Sequence, residues 1–264
     1  MTILEPRPIK RLGQNWLRDP AVIQKMVSSA DLKPTDLVVE IGPGTGAITR
    51  LLAKEAGEVL AYEIDPNLAS KLKEDLHWAK NVQVREQNIL ASGFELPQRT
   101  YKVVASLPYY ITSPILEILL RAVPIASVIV LMVQWEVAEK ITDSPPNSSY
   151  LANFVRLFSE PEIISKVSPG AFFPRPQVDS AILRLKTLPA PLVPAEETEQ
   201  IMSLLHAGFA EPRKQLHNSL AVGLQTDVSQ AKTLLQIANI DSERRAETLS
   251  VAEWLKLYDV IKKA

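Results

Sequence analysis

Apolar and polar positions follow two periods along this chain. A short apolar run at Leu37–Ile41 predicts a buried strand, the very apolar Ser127–Gln134 another strand, and Glu58–Tyr62, Val82–Gln87 and Tyr101–Ser106 read as further strands. Between them, Ala47–Ala56, Pro66–Leu76 and the segment after Pro114 have apolar residues spaced three and four apart, which predicts helices, and another helix is expected after Gln134. Strands alternating with helices imply parallel βαβ units in a doubly wound α/β sheet. Upstream, Asp19-Pro20 predicts a helix start with Val22, Ile23, Met26 and Val27 on one face. Downstream, Val178–Leu185 reads as a late strand. The proline-rich text Leu188-Pro189-Ala190-Pro191-Leu192-Val193-Pro194 reads as a linker, which gives two domains, 1–187 and 188–264. The second is predicted to be all helical, with helices at Glu196–Ala210, from Pro212, near Val228–Ala238 and at Val251–Lys262.

Chemistry enters at Glu40-Ile41-Gly42-Pro43-Gly44-Thr45-Gly46, where the first strand runs into a glycine-rich turn. About twenty residues on, the second strand ends in Glu63-Ile64-Asp65. That pairing suits a nucleoside whose ribose hydroxyls bond a carboxylate while its other groups lie against bare backbone. Glu40 sits poorly beside a pyrophosphate and well beside an ammonium group. S-adenosylmethionine has an amino-acid end, a sulfonium and no phosphate, so Glu40 and Glu63 favour it over a nicotinamide cofactor. Gly42, Gly44 and Gly46 are the expected backbone of that site. The second motif, Ser106-Leu107-Pro108-Tyr109-Tyr110, closes a strand at the end where open α/β sheets bind ligands. The Ser106 hydroxyl and the Pro108 carbonyl offer acceptors for an exocyclic amine, and Tyr109 offers a face for a base.

Composition narrows the picture further. The chain has 264 residues, 46% apolar and 22% charged, as in a soluble globular protein. It has no cysteine, which excludes disulfides and thiolate chemistry and fits a reducing, cytoplasmic setting. His77, His206 and His217 do not cluster, so no metal is expected. No apolar run is long enough to span a membrane, and Met1–Lys10 lacks the centre of a secretory signal. The net charge of −1 gives no global sign of a nucleic-acid partner, so RNA would be held by local patches: Arg213 and Lys214, with Arg7, Lys10, Arg11, Arg244 and Arg245.

Several motifs in order then resemble the small-subunit ribosomal RNA adenine dimethyltransferases and, more distantly, the erythromycin-resistance methyltransferases. They are Arg11-Leu12-Gly13-Gln14-Asn15-Trp16-Leu17, Val39–Gly46, Glu63-Ile64-Asp65, Leu107-Pro108-Tyr109, Gln134-Trp135-Glu136-Val137, Ala171-Phe172-Phe173-Pro174-Arg175-Pro176-Gln177-Val178-Asp179-Ser180-Ala181 and Arg213–Leu220. The resemblance implies a Rossmann-like class I methyltransferase sheet with a small C-terminal helical domain. It implies S-adenosylmethionine-dependent dimethylation of the N6 amines of two adjacent adenines near the 3′ end of small-subunit rRNA, on an immature subunit, by a monomer. It places the cofactor near Gln14, Asn15, Leu17, Gly42, Glu63, Asn88 and Ser106. It places the target adenine between Tyr109 and Phe172, with Leu107 and Pro108 lining the site. The chain departs from the family's usual text at Ser106 (asparagine), Asn88 (aspartate) and Tyr150-Leu151 (tyrosine-glycine). Ser106 and Asn88 leave open a second reading: a weakly active relative serving as an RNA-binding ribosome assembly or transcription factor.

Overall fold

A computed structural model describes residues Pro8, Ile9 and Leu12–Lys263. The chain divides into two compact units. The first comprises the residues up to Ala138 together with Glu162–Thr187; the second comprises Glu139–Pro161 and the residues from Leu188 onward.

The first unit starts with a two-residue strand, β1 (Trp16–Leu17), and helix α1 (Pro20–Ser28). Asp19 caps α1 by accepting from the Ala21 and Val22 N–H groups, and proline at the first helical position loses no bond. Ile23, Met26 and Val27 form its buried face. The alternating units follow as β2 (Leu37–Ile41), α2 (Ala47–Glu55), β3 (Glu58–Glu63), α3 (Pro66–Asp75), β4 (Val82–Glu86), β5 (Lys102–Ser106), α4 (Thr112–Arg121), β6 (Val128–Gln134) and α5 (Trp135–Thr142). Helix α4 begins two residues before Pro114, which the first turn tolerates because its N–H groups have no intrahelical acceptor.

The chain leaves the first unit within α5, forms α6 (Tyr150–Arg156), and returns within β7 (Ser159–Val167). Strands β8 (Phe172–Phe173) and β9 (Ser180–Thr187) complete the unit. The large sheet has the order β4-β3-β2-β5-β6-β9-β7. β4, β3, β2, β5 and β6 are parallel neighbours, and β9 runs antiparallel to β6. The sequence pattern does not reveal β7. Its Pro161 and alternating charges break the apolar signal, and those are the residues an edge strand uses to discourage further pairing. β1 pairs β8 separately, Trp16 opposite Phe173 and Leu17 opposite Phe172. The main core joins Met26 and Val27 of α1 and Leu52 of α2 to Val38, Val104, Val130, Met132 and Ile182 of the sheet, and Phe172 belongs to it.

In the second unit α7 (Thr198–Phe209), α8 (Leu216–Gly223), α9 (Val228–Ile237) and α10 (Val251–Lys263) surround Trp254, which is fully buried with its ring 5.8 Å from Phe209. The expected helix start at Pro212 is corrected to Leu216. Residues Glu211–Gln215 form a turn in which the Glu211 carbonyl accepts from the Lys214 N–H and the Ser219 hydroxyl. The expected boundary is corrected as well: Glu139–Pro161 belongs with the helices rather than with residues 1–187. The reason is aromatic packing. Tyr150 of α6 stacks on His206 of α7 at 4.1 Å, and Phe154 packs edge-on against Phe158. The Phe158 carbonyl also accepts from the Leu188 N–H. No linker composition marks the crossing, so the sequence divides the chain only once.

Candidate cofactor and base site

In open α/β sheets ligands settle at the carboxyl ends of the strands where the order reverses. Here the reversal lies at β2, flanked by β3 on one side and β5 on the other. The carboxyl end of β2 turns through Gly42, Gly44 and Gly46, at φ +66°, +57° and +79°. L side chains resist these angles. A cavity of about 180 Å³ opens there, with polar walls from Gln14, Asn15, Glu63, Gln87, Asn88 and Ser106 and apolar walls that include Trp16, Ile64, Ile89 and Leu90. A smaller space of about 30 Å³ shares Asn15, Trp16, Gly42 and Ser106 with it and reaches Leu17, Thr45, Ala47 and Ile48.

The carboxylate of Glu63 is 3% exposed. One oxygen accepts the Gly44 N–H and the other the Asp65 N–H, each at 2.9 Å. Burial pushes this carboxyl above its usual range, and the two backbone donors oppose that shift. The glycine turn and the acid twenty residues away are therefore one bonded unit. Each oxygen keeps a lone pair for a further donor. Gln14 joins the wall through its side chain: Oε1 accepts the Ile9 N–H at 2.8 Å and Nε2 donates to Asp65 Oδ2 at 3.4 Å. Asn88 Oδ1 accepts the Leu90 N–H at 2.9 Å, which leaves one lone pair on that oxygen and the Nδ2 donor. Ser106 ends β5, half-buried on the cavity wall.

Three expected contacts lie elsewhere. Glu40 lines neither space. It is 1% exposed and sits against the hydroxyl and N–H of Thr49. Strand alternation decides this, because Glu40 shares the parity of Val38, which packs in the core. Burial pushes the Glu40 carboxyl up to about 8, and the nearby Glu63 charge adds to the effect. Gly46 also stands off the cavity. It caps α2 without a side-chain bond, and a Cβ there would overlap Leu72 Cδ1 of α3. Phe172 is 6% exposed within the core, while its neighbour Phe173 is 46% exposed beneath the Arg18 guanidinium at 4.3 Å. Adjacent residues of a strand face opposite ways, and the β1 pairing turns Phe172 inward.

The Glu40 geometry has a consequence for stability. A carboxyl whose folded pKa stands above its unfolded 4.5 binds its proton more tightly when folded. Its contribution is complete below the unfolded value and is lost as pH rises through the folded one. Glu40→Gln keeps the shape without the charge. Its stability is expected to match the parent at pH 4 and to exceed it by roughly 3–5 kcal/mol at pH 8. Urea unfolding at both pH values measures this, and a variant weaker than the parent at pH 8 would contradict it.

The catalytic-turn candidates are arranged around Pro108. Its carbonyl accepts the Ile111 N–H at 3.1 Å and has one lone pair left. Leu107 is 4% exposed and holds the turn on the core. Tyr109 is half-buried, outside the cavity wall, with its hydroxyl 2.7 Å from Ser180 Oγ. Tyr110, 64% exposed, lines the cavity instead, together with Pro108 and Ile111. Sequence reasoning missed Trp16, Ile64, Ile89, Leu90 and Tyr110 as wall residues. Trp16, Ile64 and Tyr110 lie inside motifs that the sequence marks, while Ile89 and Leu90 carry no such signal. Arg213 and Lys214 are exposed ahead of α8. Arg244 is not free for a ligand, because it is bound to Glu253 and to the Thr248 carbonyl. Arg11, with Arg7 and Lys10, lies outside the described residues. Among the described residues, no cluster of acidic and histidine side chains is placed to hold a metal, and no helix is long and apolar enough to cross a membrane.

Residues 8–263 match the family model for ribosomal RNA adenine dimethylase. A ribosomal RNA small subunit methyltransferase A from Dehalococcoides mccartyi (strain CBDB1) is 41% identical, over 94% of this chain and 86% of that protein. One from Pelotomaculum thermopropionicum is also 41% identical, covering 96% and 90%. Among solved structures, a dimethyladenosine transferase from Plasmodium falciparum superposes with a TM-score of 0.79 at 26% identity, covering 94% and 97%. The 23S rRNA methyltransferase ErmE gives 0.75 at 31%, covering 94% and 100%.

Proposed function

The chain belongs to the ribosomal RNA adenine dimethylase family and methylates rRNA adenine with S-adenosylmethionine, and on that premise we propose that it converts the N6 amines of two adjacent adenines near the 3′ end of small-subunit rRNA, on an immature subunit. The reading rests above all on one cavity that gathers Glu63, Asn88 and Ser106 from three strand ends. The residues fit the cofactor. A Cβ on Gly42 would meet nothing within 4 Å, so the turn opens on empty space, and Glu63 presents buried acceptors to it. Ribose hydroxyls go to Glu63, the adenine edge to Asn88 between Ile64, Ile89 and Leu90, and the amino-acid end to Asn15 and Gly42.

When bound, S-adenosylmethionine supplies a methyl group on a sulfonium centre. The chain's own work is positioning. The Ser106 hydroxyl and the remaining lone pair of the Pro108 carbonyl accept the two N6–H bonds and hold the amine with its lone pair toward the methyl group. Tyr109, fixed by Ser180, backs the base. The product proton is acidic enough to pass to water, so no strong base is required. A stacked adenine must first leave its helix. Arg213 and Lys214 of the helical unit contact RNA phosphates, which makes binding fall steeply with salt. In this reading the enzyme works as a monomer in the cytoplasm.

Incubation with tritiated cofactor and immature small subunits lacking the modification should place label in adenine. Salt-sensitive binding without label would instead identify an assembly factor. A second outcome concerns Asn88. Its carbonyl already accepts the Leu90 N–H and keeps one lone pair for the amine of the cofactor adenine, where a carboxylate would offer a full charge and a second oxygen. Asn88→Asp supplies both and is expected to tighten binding of S-adenosylhomocysteine by roughly fivefold (~1 kcal/mol) in calorimetry. Unchanged affinity would separate Asn88 from the adenine amine.

A further inference from the structure

Trp16 carries a donor that the fold leaves unused. Its side chain is 7% exposed, and the indole Nε1 is buried without a hydrogen-bond partner. Buried indole N–H groups ordinarily find an acceptor, and an unmade bond is costly. Trp16 lines both the 180 Å³ cavity and the adjoining 30 Å³ space. The indole edge faces the glycine turn: Cδ1 and Nε1 lie 3.0 and 3.2 Å from where a Cβ on Gly44 would stand. Pairing of β1 with β8 fixes the strand that presents it.

A second observation bears on the ligand's charge. The smaller space reaches Thr45, Ala47 and Ile48, at the start of α2. That nine-residue helix begins at Ala47 behind Gly46, which offers no side-chain cap, so its first N–H groups lack a side-chain acceptor. Helix starts favour anions, and the buried carboxylate of Glu40 walls neither space. A donor and a positive helix end thus border one small compartment. The cofactor has one anionic group, the carboxylate of its amino-acid end.

We infer that the Trp16 indole N–H binds that carboxylate, in the space between the glycine turn and the start of α2. The inference rests on the cofactor reading above and adds the residue that recognises the charged end. Phenylalanine would fill the same wall without the donor.

Calorimetry with two probes tests it. S-adenosylhomocysteine has the carboxylate; 5′-methylthioadenosine shares the nucleoside and lacks the amino acid. Trp16→Phe should bind the first about tenfold more weakly (~1.4 kcal/mol) and the second with unchanged affinity. Equal losses for both probes, or no loss for either, overturn the inference and leave the cofactor reading standing. Failure of the parent protein to bind either probe overturns both. Should Trp16→Phe not fold, the parent labelled with ¹⁵N-tryptophan answers the question. One indole N–H resonance should move downfield with S-adenosylhomocysteine and not with 5′-methylthioadenosine, and the absence of such a resonance is the contrary result.

Discussion

Replacing Glu63 with alanine is expected to weaken binding of S-adenosylhomocysteine by about 100-fold or more. Two hydrogen bonds from ribose hydroxyls to a buried carboxylate are lost, each worth ~1.5–3 kcal/mol, and ~1.4 kcal/mol is a tenfold change. The same substitution strips the acceptors from the Gly44 and Asp65 N–H groups. A stability loss of ~2 kcal/mol should therefore accompany it. Calorimetry reads the first effect and urea unfolding the second. Affinity within a few-fold of the parent would remove Glu63 from the ribose role, whatever happens to stability.

Gly46→Ala should give a large, purely structural effect, a loss of ~2–4 kcal/mol in unfolding free energy. Two causes add. The backbone stands at φ +79°, and the new methyl would overlap Cδ1 of Leu72, a 1% exposed core side chain that would have to shift. Gly42→Ala is the contrast. It shares the positive φ, but its Cβ would meet open space. It should cost only ~1–2 kcal/mol, the price of a left-handed angle, and should instead obstruct the ligand. Equal stability losses in the two variants would mean that Leu72 yields.

The glycine turn thus divides its labour in a way that its spelling conceals. Gly42 and Gly44 face ligand space, while Gly46 lets α3 approach α2. The sequence marks all three alike because the same positive angles admit glycine in each case. Phe172 and Phe173 show a similar limit. Two adjacent aromatics in a strand must diverge, but which one is buried depends on the partner strand and not on either residue. Glu40 is a third case. Its chemical type suggested a ligand contact, yet the pleat of β2 turns it toward Thr49 and the core.

Local signals carried most of the framework. Asp19-Pro20 placed α1 because capping is a contact within four residues. The apolar runs placed β2, β3, β5 and β6 because each is buried on both faces, whereas β4, an edge strand, shows only the alternation of Val82 and Val84 with polar residues. The spaced acid placed Glu63 at the cavity because strand length and turn length fix where a βαβ unit ends. Longer-range facts were not legible. β7 carries the polar text of an edge, and its position beside β9 follows from pairing. Tyr150 and Phe154 belong with the helices because His206 lies across from them, fifty residues on. The sequence by itself determined the alternating sheet, the glycine turn and its acid, and hence the class of ligand, since those depend on neighbours along the chain. Only the tertiary structure decided which face each of Glu40, Gly46 and Phe172 shows, and that the indole of Trp16 is left without an acceptor, since these depend on what distant strands and helices bring against them.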